Sequence, residues 1–150
     1  MKIEETVCID GTKEQIWQVI TDLENSVKTI QAIESIEILE KPSSGLVGLK
    51  WRETRTMFGK SADEVMWITD AKENEFYQTR AESHGAIYIS KLKIEEQGDE
   101  ICLTMGFEGQ PQKTFAKIMV AATGFLIKNA TQKALLQDLK DIKASVENSN

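Results

Sequence analysis

Hydrophobic and polar positions alternate with a period of two from the start of the chain. In residues 2–9, KIEETVCI, the side chains of Ile3, Glu5, Val7 and Ile9 share one face, as in a half-buried strand. The period then lengthens. Ile16, Val19, Ile20 and Leu23 fall at i, i+3, i+4 and i+7, which places them on one buried helical stripe. Ahead of them Thr12-Lys13-Glu14-Gln15 matches a capping box, in which the Thr and Gln side chains satisfy each other's free backbone N–H groups. This helix is expected to end near Asp22 to Asn25, with a short second helix over Ser26 to Ile30. From Ile33 the period returns to two, and Pro42-Ser43-Ser44-Gly45 marks a turn. Gly48 to Met57 and Lys60 to Thr69 read as two strands about a tight turn at Phe58-Gly59. After the polar turn Ala71 to Asn74, the segments Phe76 to Ser83 and Ala86 to Glu95 form a hairpin about His84-Gly85. Gln97-Gly98-Asp99 then leads into a last strand, Ile101 to Glu108. This makes seven strands, six of them consecutive, and connections this short require antiparallel neighbours.

Pro111 sits where the first residue of a helix is expected, and the pattern stays helical to about Glu147. Phe115, Met119, Ala122, Leu126, Ala130, Leu135, Leu139, Ile142 and Val146 follow one stripe. Such a helix is roughly 55 Å long, so it must lie across a face of the sheet. Its first half is apolar nearly all round, and its second half is amphipathic with Lys, Asp and Gln expected outward. Gly124 in the first half suggests a kink or a close contact.

Composition narrows the function classes. A chain of 150 residues fits one domain, 1–150, with a core that needs neither disulfide nor metal. A net charge of −6 argues against nucleic acid, which calls for clustered Lys and Arg. The longest apolar run, Ile118 to Ile127, is about half of what a bilayer span requires. With no basic n-region and apolar core at the start, a cytoplasmic location is expected, without stable membrane insertion. Cys8 and Cys102 each lie inside a strand pattern without CxxC spacing or histidine partners. They read as buried or half-buried free thiols, so no metal is expected. No cofactor is expected either. The single histidine, His84, falls at a turn, which makes a Ser-His or Cys-His nucleophile system improbable.

The order of elements resembles the helix-grip fold of the START-like (SRPBCC) superfamily, which includes birch-pollen-allergen-like (Bet v 1-like) proteins and the polyketide cyclase/dehydrase group. Gly11 to Asn25, GTKEQIWQVITDLEN, is similar to that family's opening helix, with its hydrophobic-Trp pair and its Asp at the helix end. Gly45-Leu46-Val47-Gly48 resembles its glycine-containing entry to the third strand, and Leu135 to Val146, LLQDLKDIKASV, its closing helix. The resemblance covers essentially the whole chain. It implies an α+β fold in which a curved seven-stranded antiparallel sheet wraps a long C-terminal helix, with two short helices after the first strand and a cavity between sheet and helix.

On that fold the inward face of the sheet carries the candidate ligand-binding residues: Trp51, Glu53, Arg55, Glu64, Met66, Tyr77, Thr79, Tyr88, Ser90, Met105 and Phe107. Phe115 and Met119 of the long helix join them. An apolar wall with a few polar groups is how small-molecule sites are composed. If Met57 opposes Lys60, Glu53 falls opposite Glu64, an unfavourable like-charge pair. Arg55, one diagonal away, can bridge the two, or one glutamate can take a proton and serve as a general acid. The charges can equally be structural ion pairs at a water-filled end of the sheet, or be turned outward by a bulge. Tyr77 and Tyr88 can equally be packing residues with hydrogen-bonded hydroxyls.

Three functions follow. The first is binding of a hydrophobic, partly polar small molecule such as a lipid, quinone or polyketide-like aromatic. The second is a cyclase/dehydrase- or aromatase-like enzyme using Glu53, Glu64 or a Tyr. The third is a protein-interaction role through outward Val65, Trp67, Ile87 and Ile89. The protein is expected to be a monomer or weak homodimer.

Overall fold

The computed structural model describes residues 1–83, 85–112 and 114–149, with side chains for all of these except 114–126. Its elements run β1 (Lys2–Ile9), α1 (Lys13–Thr21), a 3-10 turn (Leu23–Asn25), α2 (Ser26–Thr29), β2 (Ile33–Glu40), β3 (Lys50–Met57), β4 (Lys60–Lys72), β5 (Phe76–Ser83), β6 (Ala86–Gln97), β7 (Glu100–Pro111) and α3 (Thr114–Asn148). The fold is α+β: one curved antiparallel sheet in the order β1-β7-β6-β5-β4-β3-β2, gripping the long helix α3.

Local chemistry accounts for the boundaries. Thr12 caps α1: its Oγ1 accepts from the Gln15 N–H at 3.1 Å, and Gln15 Oε1 accepts from the Thr12 N–H at 2.8 Å. The β3–β4 turn is made by Phe58 and Gly59, both in the left-handed region at φ 53° and 76°. Positive φ at both central residues matches the right-handed twist of the flanking strands. Met57 therefore opposes Lys60, and the ladder runs unbroken to Lys50 and Trp67.

Chain order leaves β1 and β2 at opposite edges, and α1 and α2 connect them. β1 closes on β7, the last strand, with Ile3 opposite Phe107 and Ile9 opposite Ile101. That pairing sets Cys8 opposite Cys102, and the two form a disulfide across the β1–β7 pair. The free thiols expected from sequence are corrected here. Local spacing cannot reveal a partner 94 residues away that becomes adjacent only when the sheet closes. Pro111 is likewise corrected. It ends β7 opposite Ala86 instead of opening α3, because the β6–β7 ladder extends past Glu108 to the hairpin end.

The core fills one end of the space between sheet and helix. Ile16, Ile20 and Leu23 meet Trp51, Ile68, Tyr77, Leu92, Ile94 and Leu103 from the sheet and Leu139, Ile142 and Val146 from α3. Lys143 Nζ donates to the Cys8 carbonyl at 2.9 Å, and the Asp10 N–H donates to Glu147 Oε2 at 2.9 Å, which pins the end of α3 to the end of β1. Among the described residues, no helix is long and apolar enough to cross a membrane.

Gly11 lies under this contact. A Cβ there would stand 2.8 Å from Val146 Cγ1, a stiff β-branched side chain that is 1 % exposed. Gly11→Ala should therefore destabilise by about 1–3 kcal/mol, and adding Val146→Ala should cost less than the sum of the two single changes. Urea unfolding of the three variants checks this; strict additivity would mean that the clash does not exist.

Candidate functional site

Alternation along the strands turns Trp51, Glu53 and Arg55 of β3 inward together. The unbroken register excludes a bulge between β3 and β4 and sets Glu53 directly opposite Glu64 and Trp51 opposite Met66. Across the sheet the pairing continues from Met66 to Ala81, from Ala81 to Tyr88, from Thr79 to Ser90, and from Ser90 to Phe107. These positions thus stand in register from β3 to β7.

Burial along this wall is uneven. At the end near Ile9 and Ile101, Leu103 and Ile94 are closed off, and so is Ile68 of β4, which lies in one cross-strand row with Thr79, Ser90 and Phe107. Toward the hairpin ends of β5–β6 and β3–β4, Met66, Tyr88, Ser90, Met105 and Phe107 are only half-buried. Tyr88 and Phe107 stack there with ring centroids 5.7 Å apart. Burial and Glu64 both push the Tyr88 hydroxyl above its ordinary pKa. Thr79 is buried, and Tyr77 belongs to the core. Tyr77 donates its hydroxyl to the Ile20 carbonyl at 3.1 Å and meets Trp17 edge-on at 6.3 Å, so it locks α1 to the sheet. Burial, followed by Glu53, raises its pKa strongly. Phe115 and Met119 lie outside the residues whose side chains are described, as does His84.

The charged members form a cluster at the border of the two regions. Arg55 Nε donates to Glu53 Oε2 at 2.8 Å, and its Nη1 donates to Asp138 Oδ2 at 3.0 Å. The bridge between Glu53 and Glu64 foreseen for Arg55 is thus corrected: its second carboxylate comes from α3. Glu53 is 8 % exposed and Asp138 4 %. Burial opposes the Arg55 charge, but the two carboxylates outweigh it and its pKa is raised. Asp138 shows the opposite balance, since burial lifts its carboxyl above the ordinary range despite Arg55. Both directions agree in one respect: each group in the pair holds a proton more tightly than it would in water.

Asp138 escaped the sequence reading, which sent the aspartates of α3 outward. The signal was present, because Asp138 stands three residues after Leu135 and four before Ile142 on the buried stripe. Asp141 is corrected in the same way. It is buried and accepts from the Gln31 N–H at 3.0 Å, from Gln31 Nε2 at 3.2 Å and from Gln137 Nε2 at 2.9 Å, holding the α2–β2 turn on α3. Outward Val65, Trp67, Ile87 and Ile89 are half-buried, with Lys50 Nζ 5.8 Å from the Trp67 ring centre. A separate polar groove of about 320 Å³ runs between α1 and the end of α3, lined by Gln18, Asp22 and Ser145 among others, and contains none of the expected site residues.

Removing the one cation of the cluster would leave two buried carboxylates facing each other. Arg55→Met should cost about 3–5 kcal/mol at neutral pH. The raised pKa of Asp138 means that its contribution to stability is complete below its ordinary value of 3.8 and is lost as pH rises through the folded value. The variant penalty should therefore shrink on acidification toward pH 4. Urea midpoints of both proteins across that range test it, and a pH-independent penalty would contradict the assignment.

No protein-family model matches the chain, and no curated protein matches it. Solved structures do. The START superfamily protein of Mycobacterium smegmatis superposes with a TM-score of 0.80 at 18% identity, over 99% of each chain. The Zhui aromatase/cyclase of Streptomyces sp. R1128 gives 0.73 at 14% identity, over 99% of this chain and 94% of its own. The major latex-like protein 151 of Panax ginseng gives 0.77 at 13% identity, over 97% and 96%. Likeness at these identities reports the fold, and the chain has the helix-grip fold of the START-like and Bet v 1-like proteins.

Proposed function

We propose that this protein binds a hydrophobic, partly polar small molecule, such as a lipid, quinone or polyketide-like aromatic, between the sheet and α3. The observation that carries this reading is the unevenly buried inward face. A uniformly solid core would bury Met66, Tyr88, Ser90, Met105 and Phe107 as fully as Leu103, yet they are half-buried. These side chains combine aromatic surface, adaptable thioethers and a hydroxyl, the composition of a small-molecule wall. The fold likeness to a START superfamily protein and to an aromatase/cyclase supports the same reading. Binding is favoured over catalysis because Glu53, one candidate acid, is already committed to Arg55.

Native mass spectrometry of freshly purified protein should reveal a co-purified lipophile, and a panel of lipids, quinones and polycyclic aromatics should raise its melting temperature. A protein that is empty and unmoved by every member would overturn the proposal. Met105→Ala with Phe107→Ala should weaken binding of whichever compound responds by about tenfold or more.

A cytoplasmic location is part of the same proposal, and it makes a statement about Cys8 and Cys102. Disulfides are rare in the reducing cytosol. In cells quenched in acid and alkylated before lysis, both cysteines should then carry the label. A fully unlabelled bridge would instead assign the protein to an oxidising compartment.

A further inference from the structure

Cys8 of β1 and Cys102 of β7 are directly opposite residues on the outer face of the sheet, where Thr6 and Thr104 also meet, hydroxyl to hydroxyl, at 2.8 Å. Glu100 stands two residues before Cys102 on the same strand, so alternation puts its side chain on that face too. One carboxylate oxygen of Glu100 and the two sulfurs all lie within 4.8 Å of one another. Cys102 is buried, Cys8 half-buried and Glu100 exposed, so the group opens to solvent on its carboxylate side. Glu95, which faces Cys102 from β6, is held by Lys93 at 2.9 Å. Among the described residues, no lysine or arginine pairs with Glu100 in the same way.

We propose that Cys8, Cys102 and Glu100 form a zinc site that alternates with the disulfide. A dithiol reductant passes two electrons and two protons to the bridge, breaks the S–S bond and is itself oxidised to a disulfide. Each of the two thiols then gives up its proton as the ion binds. Two thiolates exclude Mg²⁺ and Ca²⁺, which take oxygen ligands, and the carboxylate favours Zn²⁺ over Cu⁺. In a tetrahedral zinc site, two sulfurs stand about 3.8 Å apart and a sulfur and an oxygen about 3.6 Å. Side-chain rotation of two opposite cysteines and one exposed glutamate reaches those spacings. Three protein ligands leave the fourth position for water. The ion takes over the link between β1 and β7 that reduction removes, and β1 is the strand to whose end Lys143 and Glu147 pin α3. No CxxC spacing announces the site, because its ligands come from strands that meet only when the sheet closes. It lies on the face away from α3 and stands whether or not a small molecule fills the space inside.

The test uses the full chain, reduced with a water-soluble phosphine that is then removed under nitrogen. Titration with Zn²⁺ against a chromophoric chelator should show one equivalent bound per chain, and the disulfide form should bind none. Co²⁺ in place of Zn²⁺ should give the visible spectrum of tetrahedral ligation with a thiolate charge-transfer band. Glu100→Gln should weaken Zn²⁺ binding by about tenfold or more, and Cys8→Ser should abolish the charge-transfer band of a two-thiolate site. A reduced chain that takes up no Zn²⁺ would overturn the proposal. Uptake that is unchanged in Cys8→Ser, or in Glu100→Gln, would assign the ion to other ligands and overturn it too. Circular dichroism covers loss of structure: if reduction melts the sheet, Zn²⁺ should restore it, and failure to do so would equally count against the site.

Discussion

A single guanidinium stands between two buried carboxylates, one on a strand and one on the long helix, and ties the two elements together. Arg55 cannot leave Glu53 and Asp138 without exposing both to an apolar surrounding that does not solvate charge. The contact therefore fixes where α3 lies against β3, in the second half of the helix, while Lys143 and Glu147 fix its end against β1. Ion pairs of this kind add little net stability, because desolvation offsets most of the attraction. Their value here is geometric: an arrangement that admits only one position for the helix.

That position divides the interior. On the closed side, aliphatic and aromatic side chains from α1, the sheet and α3 interlock, and Tyr77 ties the first helix to the sheet through its hydroxyl. On the other side the inward residues change character, to Met, Tyr, Ser and Phe, and their burial falls. A packed end gives the fold its stability, and a looser end leaves surface that is adaptable. The edge strand β1, which closes the sheet, is held to β7 by the Cys8–Cys102 bridge on the face away from this interior.

Proteins that share this fold at 13% to 18% identity include a START superfamily protein, an aromatase/cyclase and a major latex-like protein. Such divergence is what a scaffold held by packing patterns permits. Alternation on strands and a stripe on a helix can be satisfied by many residues, so the fold persists while the wall residues change. Here the polar groups between sheet and helix are Glu53, Arg55 and Glu64 of the strands and Asp138 of α3.

The sequence by itself determined the elements, their order and the face of each strand, because side-chain periods of 2 and 3.6 are local properties. It even determined that Glu53 faces Glu64, since the two-residue turn at Phe58-Gly59 sets that register within a dozen residues. Only the tertiary structure decided which distant groups meet. Asp138 reaches Arg55 across 83 positions, and Cys8 reaches Cys102 across 94. Pro111 became the end of a strand because the β6–β7 ladder ran on to it. These outcomes depend on how the sheet closes and where the helix comes to rest. Such long-range packing leaves no trace in the spacing of neighbouring residues, except where a polar residue such as Asp138 stands on an otherwise apolar stripe.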